Sequence, residues 1–342
     1  MSAPLFFIMK LQILIPQYKE TDDMIRPLLD SIALQQSVDF NEIGVIIFND
    51  GSDTYISKEL IQQYPYHIEC WSGPHKGVSG TRNSLLDAAS ADYVMWCDAD
   101  DTFLSVCGLY LVFRHIEIGF DALNSLFFEE TRDEKTNKPV YVKRENDATF
   151  VHGKVYRRQF LIENELRWNE NLKVHEDCYF NGLAMNIAES VRYCEDPFYL
   201  WKWRDDSVCR NDDEYRYSTF VDLIDAYEAL VSELYMRGYE EKTAYFVCYA
   251  VFETYYAMNI PSWIWHDEYR RKTEKRFAEF FSKWNGIWET TSMSDKMKIA
   301  ARSREKALKE GLKFEAITLQ DWLKEITTCQ AEEQEKDAAG KK

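Results

Sequence analysis

Residues 93–101 read Tyr-Val-Met-Trp-Cys-Asp-Ala-Asp-Asp, an apolar run that ends in carboxylates. Such a run, followed by polar residues, is typical of a strand buried on both faces of a sheet. Because side chains alternate along a strand, Asp98 and Asp100 are expected to point the same way while Asp101 turns into the next loop. Carboxylates in this arrangement suit Mg²⁺ or Mn²⁺, and a polar turn with solvated carboxylates is the alternative interpretation.

Two earlier segments repeat the pattern of an apolar strand followed by polar residues. Residues 11–16 and 43–48 predict buried strands, and apolar residues at helical spacing over 25–33 lie between them. A strand, a helix and a strand in this order predict a parallel, right-handed crossover unit. In a doubly wound sheet of such units, ligands bind at the carboxyl ends of the strands.

A further loop is expected at the same edge of the sheet. A short strand is predicted at residues 68–71, followed by a loop over 73–80 and a helix from Thr81. Neither GxGxxG nor GxxxxGK[ST] occurs there, so the dinucleotide fingerprint and the P-loop are absent. The charge of a bound phosphate would then have to be met by a metal ion.

The composition predicts a folded protein of the cytoplasm. The net charge of −17 argues against binding nucleic acid or an anionic membrane across the whole surface. Eight cysteines without a CxxC spacing favour reduced thiols over disulfides or a zinc site. Residues 1–8 are interpreted as a short extension without the features of a signal peptide, and no transmembrane segment is expected. Peripheral membrane binding is an alternative to a purely cytoplasmic location.

Four segments occur in an order that resembles a known family. They are Ile-Pro-Gln-Tyr at 15–18, Phe-Asn-Asp-Gly-Ser-Asp at 48–53, Gly-Val-Ser-Gly-Thr-Arg-Asn at 77–83 and Asp-Ala-Asp-Asp at 98–101. Together they resemble glycosyltransferase family 2, which has the GT-A fold. Segments at 151–158 and 175–177 resemble the acceptor side of that family, and the resemblance covers about residues 9–210. It implies an α/β fold with a Rossmann-like, mostly parallel sheet flanked by helices.

The resemblance implies a pocket for a nucleotide-diphosphate sugar. Tyr18 would lie on the nucleobase, and Asp50 would bind its edge. Arg82 would bind the base or the diphosphate, although by itself it could equally form an ion pair on a helix surface. The donor-side residues are Pro16, Tyr18, Glu20, Asp50, Arg82, Asp98, Ala99 and Asp100, and a divalent cation, Mn²⁺ or Mg²⁺, is assigned to Asp100 and Asp101.

Sugar transfer with inversion also needs a base for the acceptor hydroxyl. The resemblance assigns this role to Asp177, with Glu176 as the second candidate. A predicted helix start keeps such carboxylates ionised, and the alternative is that they only complement the helix dipole. The acceptor-side candidates are His152, Lys154, His175, Trp201, Trp203 and Arg204. For the histidines a structural role, and for the tryptophans a place in the strand core, are the alternatives.

The pattern becomes helical after about residue 215. We expect a catalytic domain over 1–214 with its core from about residue 9, a helical region over 215–330 and a flexible charged tail over 331–342. Residues 267–313 hold 13 Lys or Arg against 8 Asp or Glu, a local balance of +5. This segment could contact a membrane interface, an anionic acceptor or nucleic acid, and solvated helix faces are the alternative.

The sequence therefore predicts a metal-dependent, inverting glycosyltransferase. The donor would be a nucleotide-diphosphate sugar, with a UDP-sugar favoured, and the acceptor a hydroxyl of a glycan or a lipid-linked saccharide. One alternative changes the acceptor to a modified base of nucleic acid, as in the modification of viral DNA. Another is a protein that binds nucleotide-sugars without turnover.

Overall fold

The computed structural model describes residues 9–133, 135–145, 147, 149–204, 218–260 and 266–328. The chain forms two compact units, residues 1–207 and 208–342. The predicted extension at 1–8 and the predicted charged tail at 331–342 lie outside the described residues.

A nine-stranded sheet forms the centre of the first unit. The strands are β1 (Leu11–Gln17), β2 (Ile43–Asp50), β3 (His67–Gly73), β4 (Tyr93–Trp96), β5 (Thr102–Phe103), β6 (Ala122–Arg132), β7 (Pro139–Arg144), β8 (Lys154–Arg157) and β9 (Val191–Trp201). Their spatial order is β3-β2-β1-β4-β8-β6-β9-β5, and β7 pairs with β6. Strands β1 to β4 pair in parallel, whereas β8 is antiparallel to β4 and to β6. The predicted α/β fold is confirmed, and its sheet is parallel in the first half and mixed in the second.

Helices flank this sheet. They are α1 (Asp22–Ala33), α2 (Lys58–Ile61), α3 (Gly77–Ala88), α4 (Gly108–Ile118), α5 (Arg158–Glu163) and α6 (Glu176–Ile187). Helix α1 buries Ile25, Leu28, Leu29 and Ile32 completely against the sheet, each worth about 1.5–3 kcal/mol relative to exposure. Helix α3 begins at Gly77, so the predicted loop over 73–80 was too long.

An aromatic cluster fixes helix α6 beside strand β4. The Trp168 and Phe180 rings stack with centroids 4.2 Å apart, and Trp96 of β4 meets both rings edge-on at 5.4 Å. Trp96 and Trp168 are nearly without exposed surface. Since large rings contribute most of the apolar area in a core, this cluster holds the amino-terminal end of α6 near the end of β4.

The second unit is helical, in agreement with the predicted helical region. Its helices are α7 (Phe220–Met236), α8 (Glu240–Met258), α9 (Asp267–Thr290) and α10 (Met293–Lys309), and residues 319–328 are also helical. Buried aromatic side chains form much of its core, among them Tyr255, Phe277, Phe280, Trp284 and Trp322. None of the described helices combines the length and apolar character that a membrane crossing requires.

Much of the basic charge predicted over 267–313 is paired within this unit. Among the described residues, the basic side chains within 4.0 Å of a carboxylate include Arg270, Lys272, Arg276, Lys283, Lys298, Arg304, Lys306 and Lys309. Lys296 lies over the Trp288 ring at 4.4 Å. Such pairing is what the alternative interpretation of residues 267–313 expects, namely solvated helix faces that carry both charges. Binding of an anionic partner stays a prediction.

Candidate active site

Polar side chains from four segments meet at the carboxyl edge of the parallel strands. The register places the ends of β1, β2 and β4 side by side, so Tyr18, Asp50 and Asp98 leave the sheet at neighbouring points. Helix α6 adds Glu176 and Asp177 at its first turn. Because this edge is where open α/β sheets bind ligands, it is the candidate site.

His75 contacts both Tyr18 and Asp50, the two residues predicted to bind the nucleobase. No motif in the sequence indicated this role for His75. The rings of Tyr18 and His75 lie 4.7 Å apart, and Tyr18 remains 43 % exposed. Asp50 is buried and accepts hydrogen bonds from the backbone N–H groups of Lys76 and Gly77 at 2.7 and 2.9 Å. His75 Nδ1 lies 2.8 Å from Asp50 Oδ2. The two hydrogen bonds from Lys76 and Gly77 to Asp50 cap helix α3, which begins at Gly77, four residues before the predicted start at Thr81.

Asp100 faces Glu20 across a shared arginine. Arg204 Nη1 lies 3.0 Å from Asp100 Oδ2 and 3.8 Å from Glu20 Oε1. Glu20 Oε2 also accepts the N–H of Tyr18 at 2.5 Å. Burial raises the pKa of both carboxyls, an effect that Arg204 partly offsets. Arg204, predicted on the acceptor side, thus contacts donor-side residues in this structure.

Asp98 and Asp100 have different partners, since Asp98 contacts Arg82 whereas Asp100 contacts Arg204. Strand β4 ends at Trp96, so the alternation expected for residues 98 and 100 does not extend to them. Arg82 is 4 % exposed, and it donates to Asp98 Oδ1 at 3.2 Å and to Glu176 Oε1 at 2.8 Å. Burial opposes its charge, but the nearby carboxylates outweigh burial and hold the pKa of Arg82 above its usual value.

Asp177 occupies the first turn of α6 with partial exposure to solvent. Burial and the neighbouring Glu176 raise its pKa to about 8, and Arg82 partly opposes this rise. Asp177 Oδ1 accepts the N–H of Cys178 at 2.8 Å. The expectation that the helix start keeps Asp177 ionised is therefore wrong, because burial favours its protonated form. Asp177 becomes able to accept a proton, as a general base must, when the pH rises through this pKa.

Lys154 and Asp147 lie near Asp177. Lys154 has no exposed surface, and its ammonium donates to the Phe150 carbonyl. Burial lowers the pKa of Lys154 to about 8, and Asp147 and Asp177 oppose this. Asp147 accepts the N–H groups of Thr149 and Phe150 at 2.7 and 3.1 Å. No motif in the sequence indicated a role for Asp147.

Asp98, which is half-buried, and the buried Asp101 and His152 form a group that could hold a metal ion. Ligand atoms of these residues lie within 4.8 Å of one another. Burial lowers the pKa of His152 to about 4, so the imidazole is neutral, as a metal ligand requires. His152 Nδ1 is buried without a hydrogen-bond partner among the described residues. The chemistry of this group therefore fits a divalent cation.

This group differs in part from the predicted ligands Asp100 and Asp101. Asp101 has no exposed surface and accepts hydrogen bonds from the Tyr199 hydroxyl at 2.7 Å and the Lys202 N–H at 2.9 Å. Burial raises its pKa well above the usual value, a cost that a bound cation would remove. Asp100 lies outside the group, on Arg204.

The other candidates occupy positions around this centre. Trp201 stacks on His152, with centroids 4.9 Å apart, within the strand core. His175 has a left-handed backbone, φ 59°, immediately before α6, and so turns the chain into that helix. Pro16 lies near the end of β1 beyond its pairing with β4, where the missing N–H costs no bond to that strand. Ala99 is buried, and Trp203 follows β9 with partial exposure.

Comparison with known proteins agrees with the predicted family. Residues 12–172 match the family described as Glycosyl transferase family 2. The uncharacterized glycosyltransferase EpsJ of Bacillus subtilis is 24 % identical over 57 % of this chain and 62 % of its own length. The uncharacterized glycosyltransferase YibD of Escherichia coli is 26 % identical over 59 % of this chain and 63 % of its own. The chain thus spans about three fifths of the length of these curated relatives.

The fold also matches a solved structure. Residues 1–349 of Staphylococcus aureus TarS, in complex with UDP-GlcNAc, superpose with a TM-score of 0.63 at 16 % identity, covering 89 % of this chain and 93 % of that one. At this identity the likeness establishes the fold alone. The predicted family resemblance and GT-A fold are both confirmed.

Proposed function

Since the chain carries a glycosyl transferase family 2 domain, we propose that it transfers a sugar from a UDP-sugar to an acceptor hydroxyl, with inversion at the anomeric carbon. The observation that carries this proposal is the meeting of donor-side and base candidates at Arg82. Asp98 at the end of β4 and Glu176, the neighbour of Asp177, bind the same guanidinium. One displacement reaction can involve both a base and a leaving group only if their sites are neighbours, and the shared contact with Arg82 makes them neighbours here.

Asp177 is the base in the proposed reaction. The acceptor oxygen forms a bond to the anomeric carbon as the bond from that carbon to the diphosphate breaks. The hydroxyl proton passes to the Asp177 carboxylate, and the nucleoside diphosphate leaves with the bonding electrons. Attack opposite the leaving group inverts the configuration. Partial exposure of Asp177 leaves it accessible to the incoming hydroxyl.

A UDP-sugar is the proposed donor. The exposed face of Tyr18 suits stacking with a uracil ring, and the relative TarS was solved with UDP-GlcNAc. A carboxylate oxygen has two acceptor sites, so Asp50 can bind a base edge while it caps α3. Pro16, Glu20, Ala99 and the backbone around them complete the proposed donor side.

Asp98, Asp101 and His152 are the proposed cation ligands, and Asp100 would join them if Arg204 released it. A divalent cation there would stabilise negative charge on the departing diphosphate. Hard oxygen ligands favour Mn²⁺ or Mg²⁺ over softer metals.

The proposed acceptor is a saccharide or a lipid-linked saccharide. The relative TarS is named as a poly(ribitol-phosphate) beta-N-acetylglucosaminyltransferase, and it is 23 % identical over 65 % of this chain and 39 % of its own length. The predicted acceptor-side residues His152, Lys154, His175 and Trp203 stay proposals. A nucleic-acid acceptor is less favoured because so many basic side chains of the second unit are already paired.

A binding panel tests the proposal. Thermal stability is measured with UDP-, GDP-, CMP- and dTDP-sugars, each with Mn²⁺ and with EDTA. A ligand at about 100 times its Kd stabilises by about 2.7 kcal/mol, which raises Tm by about 4 °C for a protein of this size. We expect this rise with a UDP-sugar and Mn²⁺, and its loss with EDTA or in Asp101→Ala, which removes one of the proposed cation ligands. No stabilisation by any nucleotide would refute the proposed site.

A further inference from the structure

Arg82 occupies an enclosed position built by residues distant in the sequence. Its guanidinium lies over the Trp168 ring at 4.5 Å. The adjacent Asn83 holds the backbone of Trp168, donating to its carbonyl at 2.9 Å and accepting its N–H at 2.9 Å. Arg82 and Asn83 are both nearly buried. The guanidinium is therefore fixed before any ligand arrives.

Both terminal nitrogens of this guanidinium are engaged by carboxylates. One contacts Asp98 and the other contacts Glu176, whose side chain is only 13 % exposed. An arginine whose main task was to bind a free diphosphate would present this planar fork to the ligand. In this structure the guanidinium instead links the end of β4, through Asp98, to the first turn of α6, through Glu176.

We propose that Arg82 is a positioning residue, which holds Glu176 and the adjacent base Asp177 in a fixed place relative to Asp98. This inference rests on the proposed transfer reaction, and it replaces the predicted contact of Arg82 with the base or diphosphate. The left-handed residue His175 precedes the anchored turn, so the bond from Glu176 to Arg82 secures the start of α6 just after a bend in the chain. Small displacements of a base reduce catalysis strongly.

The charges around Asp177 give the proposal a distinctive signature. The charged and titratable groups that face it are Glu176, Arg82, Asp147, Lys154 and Cys178. Glu176 raises the pKa of Asp177, whereas Arg82 lowers it. The two partners of one ion pair therefore act on the base in opposite directions.

The experiment compares the pH dependence of kcat in Arg82→Met and Glu176→Gln with that of the unaltered enzyme. A base works when ionised, so kcat rises with pH through the pKa of Asp177. Loss of the Arg82 charge moves the midpoint of this rise up by about one pH unit, and loss of the Glu176 charge moves it down by about one. Both variants lower the maximal kcat by about 10–100-fold through misplacement of the base.

Nucleotide binding separates positioning from donor contact. The Kd of UDP in the presence of Mn²⁺ should change less than about threefold in Arg82→Met. Arg82→Lys should restore the pH midpoint, because it keeps the charge, while kcat stays low because an ammonium cannot bridge both carboxylates. Arg167→Met is the matched control, since Arg167 pairs with Asp87 on the surface at 2.6 Å, and it should leave all three quantities unchanged.

The outcomes decide between distinct failures. Weaker UDP binding in Arg82→Met by tenfold or more would make Arg82 a donor ligand and overturn the inference. Shifts of both midpoints in the same direction, or complete inactivity of Glu176→Gln with no measurable midpoint, would also overturn it, the latter making Glu176 the base. Absence of UDP binding by the unaltered protein would instead refute the proposed function. If Arg82→Met does not fold, Glu176→Gln and Arg82→Lys still decide the matter.

Discussion

The first unit gathers acidic side chains at one edge of its sheet, whereas the second unit matches acids with bases along its helices. At the sheet edge the carboxylates of Glu20, Asp98, Asp100, Asp101, Asp147, Glu176 and Asp177 face the cations of Arg82, Lys154 and Arg204. In the second unit Arg276 lies between Asp225 and Glu228, and Lys306 meets Glu253.

This difference distinguishes a site from a scaffold. Burial, together with the neighbouring carboxylates, raises the pKa of Asp100, Asp101 and Asp177, which costs stability that a bound cation or ligand would return. In the second unit Glu228 has the opposite behaviour, because hydrogen bonds from Lys283 and Arg276 outweigh burial and lower its pKa. Unbalanced charge therefore indicates a functional site in the first unit, and balanced charge indicates a structural role in the second.

The largest effect should come from the base. Asp177→Asn keeps the size of the side chain but removes its ability to accept a proton, and we expect kcat to fall by about 10³-fold. Steady-state transfer assays measure kcat, and calorimetry measures the Kd of UDP, which should stay within about twofold. Unchanged turnover would exclude Asp177 as the base. If the unaltered protein binds donor but shows no turnover, the binding-protein alternative would be favoured.

A buried carboxylate of the second unit should affect stability alone. Glu253 is 9 % exposed and accepts hydrogen bonds from the Tyr227 hydroxyl and the Lys306 ammonium. Glu253→Ala leaves both donors without this acceptor, so the free energy of unfolding should fall by about 2 kcal/mol. Urea denaturation measures the loss. A change in UDP affinity would contradict the division of roles between the two units.

Stacking on the nucleobase should contribute a smaller part of the binding energy. Tyr18→Ala removes the exposed ring, and an aromatic contact of this kind is worth about 1–3 kcal/mol, so UDP should bind about 10-fold more weakly. Isothermal titration with UDP and Mn²⁺ gives the Kd. Tyr55→Ala, which removes another exposed tyrosine, is the control and should bind UDP normally. Equal losses in the two variants would argue against a nucleobase position on Tyr18.

The smallest effect is expected at an exposed pair of the second unit. Lys283 lies 2.7 Å from Glu228, with its side chain 52 % exposed. Solvent screens such pairs, and Lys283→Ala should change the free energy of unfolding by less than about 1 kcal/mol. Thermal denaturation in low and high salt measures this. A larger loss would show that the helical unit depends on its ion pairs more than the comparison suggests.

Much of the fold could be predicted because strands β1, β2 and β4 are buried apolar runs that end in polar residues. The predicted helical pattern over 25–33 corresponds to α1, and Glu176 begins α6 where a helix start was expected. The beginning of α3 was missed because its cap, Asp50, comes from a different strand. Local patterns carry no information on a cap that is distant in sequence.

The candidate site likewise has some features that could be predicted from the sequence and others that could not. The buried strands, the resemblance to the family and most of the acidic side chains at the sheet edge could be predicted from the sequence, because burial periodicity and motif spacing are local properties of the chain. The partners of these side chains became known from the folded structure: Arg82 lies between Asp98 and Glu176, Arg204 contacts Asp100, and His75 lies beside Tyr18. Charge pairing depends on distances of a few ångströms between segments far apart in the chain, and those distances exist only once the sheet and α6 have packed together.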